Sequence, residues 1–439
     1  MARSRVVNSP WMYAFGMLAM MIPSQAFSAF YTYYYVEKLG LAVGLATIAR
    51  TVFMIWDAVN QPMAGYFSDR TNTRHGRRKP WLYASIPLFI LTFFMVFSAP
   101  RELSETGLFV WFLVALVLFE AVASIIWVNY GALFPELYRE NGLRKKASAI
   151  QQGYQIVAIL IASVAGPILY DGFGFGPMAL VFGAAFALLM VLFLRFTRED
   201  EEARKTPRMG IKESFSATLA NKPFWIFNIS NSFAQTVNGL LSSMIPFYAK
   251  YVLKVPEGQV ALLLASIFVS VIPLVGVWYW IIKRMDGVKA WRLSLLTYAL
   301  SVIPLWFGSN LATGIAAGVL VGFGLAGFLV TPPVVNSHII DLDYEQTGRR
   351  REGVYTAVSG FITRSSGLIS ALAFLIVGVI FGYESGEKPG DNPELTFRVL
   401  ISVVPLLLLA VSFALSYFVK LRPLAEDGEG SASESKPSV

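Results

Sequence analysis

The chain contains no cysteine, which excludes disulfides, thiolate catalysis and cysteine-ligated metal from the outset. It has only two histidines, His75 and His338, too few for a His-rich metal site. Charge is scarce too: Asp, Glu, Lys and Arg make up 15% of the 439 residues, where soluble domains carry about 25%. No Walker sequence and no H-E-x-x-H pair occurs, and neither histidine neighbours a plausible nucleophile, which argues against an enzyme. What is abundant is apolar: 55% of the residues are hydrophobic. Mean hydropathy is +0.57, so lipid is the expected solvent. The net charge of +8 does not point to nucleic acid, because the basic residues lie between apolar runs rather than on a soluble face.

The apolar residues are gathered in long runs. Arg3 and Arg5 precede the first, and "PSQAFSA" offers the small residues of a signal-peptide cleavage site. The run nevertheless continues through "FYTYYYV" to Val36, so it reads as a spanning helix. A span needs about 20 mostly apolar residues, and only helices or closed barrels satisfy every backbone group in hydrocarbon. The pattern predicts twelve helices, near 10–37, 41–67, 80–100, 107–135, 148–170, 174–197, 223–251, 258–282, 291–308, 310–338, 353–383 and 393–420. Runs this continuous do not fit barrel strands, which alternate over about ten residues. The longest polar interruption, 198–222, forms a cytoplasmic linker between an N-terminal bundle, 1–197, and a C-terminal bundle, 223–422. Part of the linker, 209–220, suits an amphipathic surface helix, and 423–439 reads as a disordered cytoplasmic tail. Lysine and arginine concentrate in loops after even-numbered spans, such as Arg70 to Lys79 and Arg139 to Lys146, which places both termini in the cytoplasm.

Between the second and third spans stands "GYFSDRTNTRHGRRK". Its G-x-x-x-D-R…G-R-R-K pattern, carried by Gly65, Asp69, Arg70, Gly76, Arg77, Arg78 and Lys79, resembles the signature of the major facilitator superfamily. "WDAVNQP", "NYGALFPEL" and "DLDYEQTGRRREGVY" resemble the glycoside–pentoside–hexuronide:cation symporters, the melibiose-carrier group, over residues 12–420. That group has distant members that are sodium-dependent lysophosphatidylcholine symporters. The resemblance implies an all-α membrane protein of two pseudo-symmetric six-helix bundles rocking around a central site. It also implies gating by Gly65, Asp69, Arg70, Arg77 and Arg78, with Asp69 a latch in one access state rather than a solvated loop charge.

Ionisable side chains at membrane depth mark function by default. Arg50, Asp57, Glu120 and Arg364 stand out. Helical spacing puts Arg50, Met54, Asp57 and Gln61 on one stripe of the second span, facing a central cavity. By resemblance, Asp57 is the cation-binding aspartate, with Asn60, Gln61 and Ser124 at neighbouring positions. Melibiose-type carriers hold a second aspartate where this chain has Gln61, which weakens an oxygen cage for sodium. Glu120, one turn before Ser124, can supply the missing carboxylate; alternatively Asp57 alone takes a proton. Arg50 offers a third reading, a static neutraliser of Asp57.

Arg364 matches a cavity lysine of the same group, and its planar fork suits a carboxylate, sulfate or phosphate. An ion pair with Asp57 or Glu120 is the alternative, and substrate can displace it. Asn228, Asn231, Gln235 and Asn238 on the seventh span and Gln151, Gln152 and Gln155 on the fifth form either a cavity wall or interhelical glue. Pro332-Pro333 is expected to break the tenth span as a hinge, and His338 to be structural. The resemblance also places Met21, Trp127 and Gln152 where melibiose-type carriers bind sugar with two acids and an arginine, so the usual galactoside ligands are missing. Met17, Met20 and Met21 offer an adaptable apolar surface instead.

The sequence thus predicts a secondary active transporter in the plasma (inner) membrane, working by alternating access as a monomer. Its partners are a small-molecule substrate and the lipid bilayer, with no nucleic acid. It needs no cofactor and no resident metal, only a coupling Na+ or H+. Symport of a glycoside, uronide or similar solute leads; a carrier of an anionic amphiphile such as a lysolipid or organic acid, coupled or not, stands second. A non-transporting scaffold is disfavoured because it gains nothing from buried charge.

Overall fold

The computed structural model describes residues 8–71, 73, 76–100, 102–138, 141–198, 221–347, 352–386 and 389–422. The proposed surface helix 209–220 and the tail 423–439 lie outside them. The chain runs as α1 (Pro10–Thr32), α2 (Val43–Arg70), α3 (Lys79–Val96), α4 (Glu105–Leu137), α5 (Asn141–Phe173) and α6 (Phe175–Phe196). The second half repeats the count: α7 (Lys222–Tyr248), α8 (Val260–Ile282), α9 (Gly287–Ser301), α10 (Leu311–Thr347) and α11 (Glu352–Phe381). The last, α12, starts as Pro393–Arg398, passes a π-helical turn at Val399–Val403 and ends as Val404–Ser416. π-Helical turns also extend α1 (Tyr33–Lys38) and α7 (Ala249–Leu253). Starts are set locally: the side chains of Ser104, Asn221 and Asp286 accept from first-turn amides, and proline opens α1.

Nine spans among the described residues are long and apolar enough to cross a membrane. The other three helices, α1, α2 and α7, have the length, but polar residues facing the protein interior dilute them. On α2, Ile48, Val52, Ile55, Val59 and Met63 form an exposed stripe suited to lipid, while Asp57 and Asn60 are buried on the other side.

Pseudo-symmetry follows from the packing. The five most extensive pairings in the first half are α1·α5, α1·α6, α2·α4, α3·α4 and α3·α6. Adding six to each number gives the five most extensive of the second half. Between halves, α2 packs on α11 and α5 on α8, pairings that the same shift exchanges. The α8–α10 contact is close because Gly314, Gly318 and Gly322 recur every fourth residue on α10. A side chain on Gly318 would collide with Ser266, and one on Gly322 would stand 2.6 Å from the Ile267 carbonyl oxygen.

The expected break at Pro332-Pro333 is absent, and α10 runs through both prolines to Thr347. In the turn before them, the Thr331 hydroxyl donates to the Gly327 carbonyl at 3.0 Å. The His338 ring meets the Arg422 carbonyl at 2.9 Å, a structural tie where the chain leaves α12.

Candidate functional site

Between the halves lies a cavity of about 590 Å³, walled by α1, α2, α5, α7, α10 and α11. A smaller chamber of about 390 Å³ adjoins it, lined by Asp57, Gln61, Glu120, Trp127, Val128 and Arg364. Asp57 and Arg364 belong to both. Their side chains meet across the α2–α11 seam, Arg364 Nε donating to Asp57 Oδ2 at 2.8 Å. Gln61 completes the cluster: its Nε2 donates to Asp57 Oδ1 at 2.7 Å, and its Oε1 accepts from Arg364 Nη2 at 2.6 Å. Asp57 is 5% exposed, so these donors, rather than water, meet its oxygens. The Arg364 side chain is 39% exposed, so it can leave at smaller cost.

Glu120 sits beside this cluster, its carboxyl near enough to Asp57 to interact with it directly. Ser124, fully buried, donates to Glu120 Oε1 at 2.8 Å, and Asn60 Nδ2 donates to the Glu120 backbone carbonyl at 3.1 Å. Asp57, Asn60, Gln61, Glu120 and Ser124 are therefore brought together. Asp57, Gln61 and Glu120 line the small chamber, whereas Asn60 and Ser124 do not and join it only through their bonds to Glu120.

Among the expected substrate residues, Met21, Arg50, Gln235, Asn238 and Arg364 line the large cavity, and Trp127 lines the small one. Two do not join them. Gln152 is exposed and faces neither chamber; Gln155, one turn further along α5, lines the cavity instead. Asn231 is half-buried outside the lining, with its Oδ1 unpartnered. The amide row on α7 splits, because Asn228 donates to its own helix at Phe224 O. Gln151 likewise bonds Tyr130. Met20 packs in the core, whereas Met21 lines the cavity. Arg50 does not neutralise Asp57; Arg364 does.

A family model described as MFS/sugar transport protein matches residues 12–422. The chain belongs to that family. It is 23% identical to sodium-dependent lysophosphatidylcholine symporter 1-A of Danio rerio, over 93% of this chain and 85% of that one. It is 25% identical to the putative glycoside/cation symporter YagG of Escherichia coli (strain K12), over 89% of this chain and 86% of that one. A crystal structure of a bacterial homolog of the human lysosomal transporter Spinster superposes with a TM-score of 0.70 at 13% identity, covering 95% and 98% of the two chains. The family and the apolar helices make this an integral, multi-pass membrane transporter.

Of the family's loop signature, Arg78 is buried, and its Nη1 donates to Ser68 Oγ at 2.9 Å. The Arg70 guanidinium covers the Tyr66 ring at 3.6 Å, and Arg77 lies half-buried in the loop before α3. Gly65 faces Val128 with ordinary room for a methyl group. The Asp69 side chain lies outside the described residues, so the latch role rests on the sequence.

At the opposite end of the cavity is a feature the sequence reading passed over. Glu37, 4% exposed, ties the first half to the second. Its Oε1 accepts from Lys250 Nζ and Tyr251 Oη, and its Oε2 from Tyr383 Oη at 2.7 Å. Beside it, Glu257 of the second half accepts from Lys38 and Tyr33 of the first. The signal was legible as a carboxylate within "YYYVEK", too close to an apolar run to be free in water.

Proposed function

We propose that the protein is a cation-coupled symporter of a glycoside, uronide or similar hydroxylated solute, and a carrier rather than an enzyme. The observation that carries this is the Asp57–Gln61–Arg364 cluster: a buried carboxylate in the wall of an interhalf cavity, held by a guanidinium from the other half. A sodium ion or proton arriving at Asp57 competes with Arg364 for the same charge. Cation binding then frees the guanidinium and alters the cavity for the solute, which is coupling by exchange of partners. The cavity wall supports a polyhydroxylated solute, because Ser24, Gln25, Gln155, Gln235, Asn238 and Ser370 offer hydrogen-bonding groups to replace water. Met21, Phe53, Met244 and Phe374 on the same wall support the second reading, an anionic amphiphile.

The clasp around Glu37 closes the end away from the arginine-rich loops. With those loops in the cytoplasm, the cavity faces inward, both termini are cytoplasmic, and the unit of transport is the monomer in the plasma membrane. In proteoliposomes, Asp57→Asn is expected to abolish accumulation against a gradient while exchange of labelled solute continues. Accumulation equal to the wild type would remove Asp57 as the coupling site.

A further inference from the structure

Two guanidiniums line the large cavity, and among the described residues only that of Arg364 makes an ion pair. Arg364 is committed to Asp57 and Gln61. Arg50, seven residues before Asp57 on the same helix, makes no ion pair among the described residues, and its Nη1 is sealed from solvent without an acceptor. Glu120, the carboxylate of the adjoining chamber, takes its hydrogen bond from Ser124 instead.

The surroundings hold the Arg50 guanidinium in place without satisfying it. Its Cζ lies 4.5 Å from the Phe53 ring centroid and 5.6 Å from that of Tyr31. Both rings are cavity wall. Across the seam α11 makes room: a side chain on Gly367 would collide with Arg50 Nη2. A ring-braced cation with unmet donors is costly until an acceptor arrives. The planar fork of a guanidinium matches a carboxylate, sulfonate or phosphate group in two parallel hydrogen bonds. Of the charged groups that line the large cavity, Arg50, Arg364 and Asp57, only Arg50 has no ion-pair partner among the described residues; Glu120 of the adjoining chamber acts on it through space, without a hydrogen bond between them.

We propose that Arg50 docks an anionic group of the transported solute, so that the substrate is a hydroxylated acid rather than a neutral glycoside. The assignment rests on the carrier reading above and narrows its substrate class. It gives the two guanidiniums different tasks: Arg364 answers to the coupling cation, and Arg50 to the solute.

The test titrates purified protein with methyl β-glucuronide and methyl β-glucoside, which differ by a carboxylate in place of a hydroxymethyl group. Thermal stabilisation reports binding, and counterflow in proteoliposomes reports carriage. The wild type is expected to favour the uronide at least tenfold, Arg50→Gln to bring that ratio close to one, and Arg50→Lys to restore part of it. Gly367→Ala keeps the charge but drives a methyl group at the guanidinium; it is expected to lower the ratio too, and covers the case in which Arg50→Gln fails to fold. A wild-type protein that treats the two probes alike, by binding both or neither, overturns the assignment, as does an Arg50→Gln variant that keeps the preference. Counterflow that persists without the preference removes the role of Arg50 and leaves the carrier standing. Failure of counterflow with every solute removes the carrier reading itself.

Discussion

Replacing Glu37 by glutamine should loosen the closed end of the cavity. The carboxylate is 4% exposed and accepts from three donors of the second half, Lys250, Tyr251 and Tyr383. Glutamine keeps the size and can still meet a tyrosine, but it removes the charge on which all three donors converge. Hydrogen bonds to charged groups contribute about 1.5–3 kcal/mol each. The Lys250 side chain is 41% exposed, so solvent screens its share, and the lower end of that range applies to the net loss. A loss of about 1.5 kcal/mol shifts the balance towards opening at this end by roughly tenfold. Because the chain has no cysteine, a single introduced thiol is the only one a maleimide can label. Thr32 lines the cavity just inside the clasp, so Thr32→Cys reports access. A membrane-impermeant maleimide added outside is expected to label Thr32→Cys about tenfold faster when Glu37→Gln is also present. An unchanged labelling rate would show that the clasp does not hold this end shut, and would refute the reasoning.

Other outcomes follow from the same geometry. Arg364→Gln removes the competitor for Asp57, so the apparent affinity for the coupling cation should rise about tenfold even as transport slows, read by ion titration of intrinsic fluorescence; unchanged affinity would separate Arg364 from coupling. Replacing sodium by choline at fixed pH should abolish accumulation if sodium is the coupling ion and leave it intact if the proton is, measured in a single uptake assay. Gly322→Leu should lower thermal stability in detergent, because its first carbon already meets the Ile267 carbonyl oxygen at 2.6 Å and overpacking costs about 1–3 kcal/mol. Gly276→Ala, with nothing within 4 Å of its added carbon, should leave stability near that of the parent. Equal effects of the two would break the close-packing account of α8 and α10.

The helices were legible because lipid demands long apolar runs, and that demand overrides most local propensity. The stripe of Arg50, Met54, Asp57 and Gln61 was legible for the same reason: a 3.6-residue period places them on one face, and all but Gln61 line the large cavity while Gln61 lines the small one. Which residue answers Asp57 was not legible, because Arg50 is near in sequence and Arg364 is near in space. Only the α2–α11 seam decides between them. Periodicity also overstated the amide rows: Asn228 and Gln151 sit at suitable spacings, yet each turns to a partner within its own half. The Pro332-Pro333 pair misled in the opposite sense. Local chemistry predicts a break, but neighbouring helices hold α10 continuous.

Where the ion pairs lie along the seam explains how a solute can govern a motion of whole halves. In a rocking carrier, separation between halves changes most at the two ends and least near mid-bilayer. The Glu37 and Glu257 clusters occupy an end, so they must break whenever that end opens, and their strength sets the height of that step. Asp57 and Arg364 occupy the middle, where rocking alone need not part them. On the proposed mechanism a cation exchanges the partner of Asp57, and that exchange couples the cation to the solute. Removing the mid-seam charge by Asp57→Asn, with the Glu37 and Glu257 clusters left in place, should leave a protein that still alternates but no longer accumulates. Accumulation by that variant, measured in the same vesicles, would place coupling elsewhere than the mid-seam pair.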